Sequence, residues 1–531
     1  MPDLLVTGTI HTLDPSRPRA EAVVVRDGRI AAVGDREACA GAAGPGARRI
    51  DLGAGCAVPG LVDAHGHVAW HGRARLEVAC AGAEDAAACA ARAAARARTL
   101  PAGRWVRGGG WDQNRWPGGA FPDADLLSAA VPGHPAFLTR VDGHAAWVNR
   151  AALAAAGIGD GTPDPPGGRI HRDAAGRATG ILVDSAMALA LQAMPRPTAA
   201  ELEEAILAAL QELAGLGLTA VHDAGCEPEV LDVLRGLAEA GRLPLRVYAM
   251  ILGDPPLPAL RAELARWRGG FALGRLEIRA VKLFADGALG SRGAALLEDY
   301  ADDPGNRGLL LTEPALLREK LAAVVEAGLQ PAVHAIGDRA NREVIEAFLA
   351  AGPALRALRP RLEHLQIVQP GDLPRLAASG AIASMQPTHA TSDAGWFPAR
   401  LGEGTARLRG AYAWRSTAAA GVPLAFGSDF PIESPDPRLG LLAAEERRGP
   451  DGRAFSPEER LGRLEALRAF TSGAARAAFA EDRRGVIREG LEADLTLLGQ
   501  DLLAVEAEAL PRVPVTATVV AGEVVWAAGS G

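Results

Sequence analysis

From Val58 onward the chain repeats one pattern: a short apolar run, then an Ala/Leu/Glu-rich stretch of helical length. Strand followed by helix implies a parallel sheet. Eight runs qualify as buried strands: 58–64, 218–223, 245–251, 278–285, 329–335, 361–365, 382–386 and 424–429. Helical segments such as Glu313–Ala327 and Arg339–Ala351 separate them. Eight parallel strand–helix units close as an α/β barrel, a (β/α)8 TIM-like fold, with its chemistry at the carboxyl ends of the strands. Those ends carry His65 and His67, then His222 and Asp223, Lys282 and Asp286, His334, Glu363 and His364, and finally Asp429.

The strongest local signal is Pro59-Gly-Leu-Val-Asp-Ala-His-Gly-His-Val68. Residues two apart on a strand face the same side, so His65 and His67 can aim at one point. Imidazole suits zinc, iron and nickel, and ligands fixed on a strand lose little entropy when a metal arrives. Taken alone, His-x-His reads equally as two polar residues on a turn beside Gly66. The other strand ends decide between the readings. The chain has 11 histidines, and at least four fall at predicted strand ends.

Composition excludes several classes. With 48% hydrophobic and 23% charged residues the chain has the profile of a globular protein. A net charge of −8 and no basic stripe exclude nucleic acid as a partner. No apolar run reaches the roughly 18 residues of a membrane span, and the start, Met-Pro-Asp-Leu-Leu-Val, lacks a basic signal segment. Cys39, Cys56, Cys80, Cys89 and Cys226 are odd in number and scattered, which favours reduced thiols and a cytoplasmic protein. A small-molecule substrate is the expected partner, and a homo-oligomer is compatible with the sequence.

At 531 residues the chain exceeds one simple core. Residues 1–57 hold short alternating runs (Leu4-Leu-Val, Ala22 to Val25, Arg29 to Val33, Arg49 to Leu52) split by Asp27-Gly28 and Gly34-Asp35. The far end does the same in Val486-Ile487, Asp494 to Leu498, Val513 to Val520 and Glu523 to Trp526. Neither end supplies enough strands alone, so one composite β-sandwich of 1–57 and 482–531 is expected beside a barrel of 58–481. An insertion of about residues 70–210 follows the first barrel strand, too long for a loop. It carries strand-like runs at Trp105–Gly109 and Ala136–Val141, and two polar–aromatic clusters, Gly110 to Trp116 and Arg140 to Asn149. Such an insertion can cover a barrel mouth; tryptophans packed in a subdomain core are the alternative.

Seven segments, in order, carry a resemblance. They are the first-strand motif, Val281-Lys-Leu-Phe-Ala-Asp-Gly-Ala-Leu-Gly-Ser-Arg292, His334-Ala-Ile-Gly-Asp-Arg-Ala-Asn341, Arg361-Leu-Glu-His-Leu-Gln366, Met385-Gln-Pro-Thr-His389, Gly427-Ser-Asp-Phe-Pro-Ile-Glu-Ser434 and Gly490-Leu-Glu-Ala-Asp-Leu495. Over essentially the whole chain this resembles the amidohydrolase superfamily, and within it the third amidohydrolase family, which includes N-substituted formamide deformylases. The resemblance implies one or two divalent metals, with two zinc ions as the expectation and iron, manganese or nickel as substitutes. It implies that His65 and His67 hold the more buried ion with Asp429 close by, and that His334 and His364 hold the second. A lysine ammonium is donor-only and cannot ligate a cation. Lys282 therefore either forms a carbamate bridging both ions, as in two-metal relatives, or stays an ammonium paired with Asp286 or holding substrate.

The implied reaction is hydrolysis of a carbon–nitrogen bond other than a peptide bond, in an amide or N-substituted formamide, by a metal-activated hydroxide. Asp429 then serves first as general base and afterwards as general acid, kept ionised by neighbouring cations. Glu363 and Asp338 are candidates to orient histidine rings. Trp111, Asp112, His144, His222, Arg292 and His389 are candidate substrate contacts, while His71, His134 and His171 read as surface or packing residues. Two alternatives remain. A mononuclear deaminase of the same superfamily would use a glutamate after the fifth-strand histidine, where this chain has Ile336-Gly-Asp. A non-catalytic scaffold would be expected to lose ligands, and this chain retains them.

Overall fold

In the computed structural model, which describes residues 3–141, 143–165 and 167–529, eight apolar runs pair edge to edge as parallel strands. They are β1 (Leu61–Gly66), β2 (Leu218–Cys226), β3 (Arg246–Leu252), β4 (Leu276–Phe284), β5 (Gln330–Ala335), β6 (Arg361–His364), β7 (Ile382–Met385) and β8 (Leu424–Phe426). Their spatial order equals their chain order, with a short strand, Phe271–Leu273, added antiparallel to β4. The chain just beyond β8 closes the ring against β1. Asp429 N donates to His65 O at 2.7 Å, and His67 N donates to Phe430 O at 2.9 Å. The approach is tight enough that a Cβ on Gly427 would sit 2.4 Å from His65 N.

The intervening helices bury one stripe each. Helix Pro228–Glu239 starts with proline at its first turn, where no N–H partner is lost, and buries Val230, Leu231, Leu234 and Leu237 at helical spacing. Each such side chain contributes about 1.5–3 kcal/mol when fully removed from water. Ala-rich helices run over Ala86–Ala97 and Ala199–Gly215, and helix Pro314–Glu326 lies where the sequence placed one. The helix expected at Arg339–Ala351 starts at Asp338 and bends at Gly352-Pro353, where Gly352 takes φ 67°.

The first apolar run is divided. Val58 and Pro59 end a long strand, Arg48–Pro59, of a second sheet, and β1 begins only at Leu61. Gly60 makes the passage between the sheets: a Cβ there would lie 2.2 Å from the Thr219 hydroxyl. The second sheet has seven strands drawn from both chain ends, in the order 523–527, 515–520, 495–498, 48–59, 4–11, 19–26 and 29–34. Val6, Ile10, Val23 and Ile30 share a core with Leu495, Leu497 and Val519. Val486-Ile487 forms no strand, but Ile487 N still donates to Thr12 O at 2.8 Å. Buried Arg246 of β3 fixes this sheet to the barrel through Asp494, at 2.7 and 3.1 Å, and Glu492, at 3.0 Å.

The described residues divide into two compact units, 70–205 and the remainder. The 70–205 unit holds a six-stranded mixed sheet ordered 168–172, 178–184, 145–148, 136–140, 106–111 and 78–79. Its core contains Trp111, Trp116 and Trp147. Among the described residues no helix is long and apolar enough to cross a membrane, and all five cysteines are buried and free.

Candidate active site

The barrel brings together His65, His67, Lys282, His334, His364 and Asp429. His65, at the end of β1, is wholly buried. Its Nδ1 donates to Glu363 Oε2 at 2.5 Å, so Nε2 keeps its lone pair and accepts from Lys282 Nζ at 2.9 Å. The same Nε2 lies 3.6 Å from Asp429 Oδ1, and His67 Nε2 lies 3.0 Å from that oxygen. His364 stands between the first and fifth strands, its ring centroid 4.7 Å from His65 and 4.5 Å from His334. Its Nδ1 donates to Gln386 Oε1 at 2.9 Å, again directing Nε2 inward. Ligand atoms of His65, His364 and Asp429 lie within 4.8 Å of one another.

Two of these residues are placed by strained backbone. Strand alternation would send neighbouring Glu363 and His364 to opposite sides. His364 instead takes φ 76° and Leu365 φ 45°, which ends β6 and brings the imidazole into the site beside Glu363. Asp429 likewise sits at φ 63°. Non-glycine residues held in this region cost of order 1–3 kcal/mol and cluster at functional sites. Asp63 supports the segment after β8: it accepts from Ser428 Oγ at 2.6 Å, from Ser428 N and from His65 N. Burial pushes its pKa up to about 7.

Burial governs the charge states. It lowers His65 to about 4, helped by Lys282 and opposed by Glu363. His334 falls to about 3 for the same first two reasons, and His364 falls well below its ordinary value through burial and His334. These imidazoles are neutral, as ligands must be. Burial would raise Asp429, but the hydrogen bond with His67 holds it well below the usual carboxylate range. Lys282 is pushed down to about 8 by burial, against the attraction of Glu363 and Asp429.

The expected substrate contacts fall into different places. His389, after β7, points Nε2 toward Asp429 Oδ2 at 3.6 Å while its Nδ1 accepts from Gln366 at 3.1 Å. His222 is 2% exposed, and its Nδ1 accepts from Arg361 at 2.9 Å in the barrel interior; it is an architectural acceptor. Arg292 pairs with Asp302 at 3.0 Å. Trp111 is fully buried in the core of the 70–205 unit, donating to Leu138 O at 2.7 Å, so its role is packing. Asp112 caps a short helix and pairs with Arg140 at 3.0 Å, and His144 pairs with Asp184 at 2.9 Å. Asp142 of that polar–aromatic cluster lies outside the described residues. Asp286, considered as a partner for Lys282, instead accepts from the backbone N–H of Ala295, Ile336 and Gly337.

Two features are not evident from the sequence. Arg361 is fully buried beneath the site and bonded to Glu363. Its signal was legible in part, since Arg361 and Glu363 are two apart on one strand. Another His/Cys/Asp group, His11, Cys56 and Asp501, lies in the terminal sheet and is internally satisfied. His11 donates to Asp501 at 2.7 Å, and the Cys56 thiol bonds Gln500 O and Leu502 N.

The barrel donor set fits a divalent cation. His65 and His364 present Nε2 lone pairs, Asp429 is ionised, and the buried His334 Nε2 has no hydrogen-bond partner among the described residues. Comparisons with known proteins place the chain in a family. The amidohydrolase family profile matches residues 48–526. Putative amidohydrolase YtcJ of Bacillus subtilis is 33% identical over 530 residues, 98% of each chain. N-substituted formamide deformylase of Arthrobacter pascens is 28% identical, covering 94% of this chain and 93% of its own. An uncharacterized metal-dependent hydrolase from Pyrococcus horikoshii OT3 superposes with a TM-score of 0.80 at 27% identity, over 95% of this chain and 99% of its own. Barrel, donor set and matched length together make this chain a metal-dependent hydrolase of the amidohydrolase family.

Proposed function

We propose that this protein hydrolyses a carbon–nitrogen bond other than a peptide bond, in an amide or N-substituted formamide. The observation that carries the reading is an ionised carboxylate, Asp429, set 3.0 Å from His67 Nε2 and 3.6 Å from both His65 Nε2 and His389 Nε2. The 28% identity to an N-substituted formamide deformylase supports the substrate class.

His65, His67 and Asp429 would hold one divalent cation, and His334 and His364 a second. Imidazole and carboxylate donors suit zinc first, with iron, manganese or nickel as substitutes. Such cations supply Lewis acidity toward a carbonyl oxygen and toward water. Lys282 would supply oxygen donors to such cations as a carbamate: its neutral amine would form a C–N bond to carbon dioxide and release one proton. The ammonium form, as it stands, donates into the His65 lone pair and cannot ligate.

Asp429 takes a proton from the attacking water. The new carbon–oxygen bond forms at the substrate carbonyl, toward which His389, its Nδ1 occupied by Gln366, presents an Nε2–H. Asp429 then returns the proton to the departing nitrogen as the carbon–nitrogen bond breaks, leaving a carboxylic acid and an amine. General acid–base assistance of this kind is worth about 100- to 10,000-fold in rate.

The test pairs elemental analysis of protein purified without chelator with a panel of N-substituted formamides and amides. Two ions per chain, turnover on the panel, and an Asp429→Asn protein that keeps metal while losing about 100-fold or more in kcat support the proposal. Release of ammonia from amino-heterocycles, with no activity on the panel, overturns it in favour of a deaminase. Metal loss in Asp429→Asn assigns Asp429 chiefly as a ligand.

A further inference from the structure

The interior of an eight-stranded barrel is ordinarily filled by layers of branched apolar side chains. Here one layer holds a fully buried arginine. Arg361 of β6 donates through Nε to Glu363 Oε1 at 2.6 Å and through Nη2 to Glu363 Oε2 at 3.2 Å. Nη2 also reaches Ala64 O at 2.6 Å on β1 and Ser384 Oγ at 2.9 Å on β7, while Nη1 reaches His222 Nδ1 at 2.9 Å on β2. One guanidinium therefore joins four strands.

We infer that Arg361 is a positioning residue for the metal centre: through Glu363 it fixes the ring plane and tautomer of His65. This rests on His65 being a ligand, as proposed above. A fork gripping both carboxylate oxygens holds the plane of Glu363 in a way a single donor cannot. Among the described residues the gripped carboxylate has one remaining hydrogen-bond partner, His65 Nδ1, at 2.5 Å. Because an ionised carboxylate only accepts, Nδ1 must carry the proton and Nε2 the lone pair. Ala64 O, on the residue before His65, is held by the same guanidinium. Arg361 thus fixes both the backbone leading to His65 and the acceptor behind its ring.

A merely structural arginine would support the barrel without affecting metal affinity, and the two roles are separable. Ser384→Ala removes a bond of Arg361 that lies off the path to His65, whereas Arg361→Lys keeps the charge but loses the fork. Metal dissociation constants would be measured by chelator competition on wild type, Arg361→Lys, Glu363→Gln, the Arg361→Lys/Glu363→Gln pair and Ser384→Ala, with thermal unfolding recorded alongside. The expected result is an affinity loss of about 10- to 100-fold for Arg361→Lys and for Glu363→Gln. The double variant should be no weaker than the worse single one, and Ser384→Ala should lower only thermal stability. Unchanged affinity in Arg361→Lys, or losses that multiply in the double variant, overturn the inference. Absence of metal from wild type defeats instead the reading of His65 as a ligand. If Arg361→Lys does not fold, Glu363→Gln against Ser384→Ala still decides the first half of the path.

Discussion

Gly66 lies between the two first-strand histidines, and the structure allows no side chain there. A Cβ on Gly66 would lie 2.1 Å from Phe430 Cε1 and 2.5 Å from Cδ1 and Cζ. The Phe430 ring is fully buried and has no room to retreat. Its carbonyl is held by His67 N and its neighbour is Asp429, so relief must come from backbone shifts that carry site residues. Overpacking of this kind costs about 1–3 kcal/mol. Phe430→Ala alone should cost about 3–5 kcal/mol through the cavity it leaves. In the double variant the new methyl enters that cavity, so the pair should be more stable than the sum of its singles by about 1–3 kcal/mol. Urea unfolding of the four proteins measures this coupling, and chelator competition on Gly66→Ala should show weakened metal binding. Strict additivity, or wild-type metal affinity in Gly66→Ala, would refute the argument that ring contact at Gly66 sets the spacing of strands one and eight at the site.

Arg246→Met leaves Asp494 buried without its cation and should cost about 3–5 kcal/mol by urea unfolding, with Arg246→Met/Asp494→Leu recovering much of it; equal costs for both would deny the pair its role. In metal-free protein, His65 has a folded pKa of about 4 against about 6.5 unfolded. The unfolded chain therefore takes up the proton first as pH falls. The stability is fully present above about pH 6.5 and is lost progressively down to about pH 4, by roughly 3 kcal/mol for this residue. His65→Gln should flatten that slope, and an unaltered slope would contradict the assignment. Withholding bicarbonate should lower metal occupancy of wild type while leaving Lys282→Met unchanged; equal responses would speak against a carbamate.

Much of the scaffold could be read directly from residue order. Apolar runs followed by helical stretches specify parallel strands because a strand buried on both faces must be apolar and its crossover must be helical. All eight strands lie within a few residues of the runs so marked, and strand-end position picks out His65, Lys282, His334 and Asp429 as neighbours. Local pattern could not show where one sheet stops and another starts. Val58 and Leu61 are equally apolar, and the break between the two sheets falls at Gly60, packed against Thr219.

Nor could it distinguish polar residues that reach the site from those that support it. His222 and His389 look alike as histidines near strand ends. The donor each meets, Arg361 from across the barrel for His222 or Gln366 for His389, is not given by local pattern. The sequence offers Trp111 as a candidate substrate contact, and packing places it inside a core. Strand periodicity also sets Glu363 and His364 back to back, and a left-handed backbone at His364, maintained by contacts formed only on folding, turns them to one site. Sequence by itself determined the order of the strands and the chemistry available at their ends, because both follow from local polarity and period. Tertiary structure decided the charge, tautomer and direction of each group, because those depend on burial and on partners hundreds of residues away.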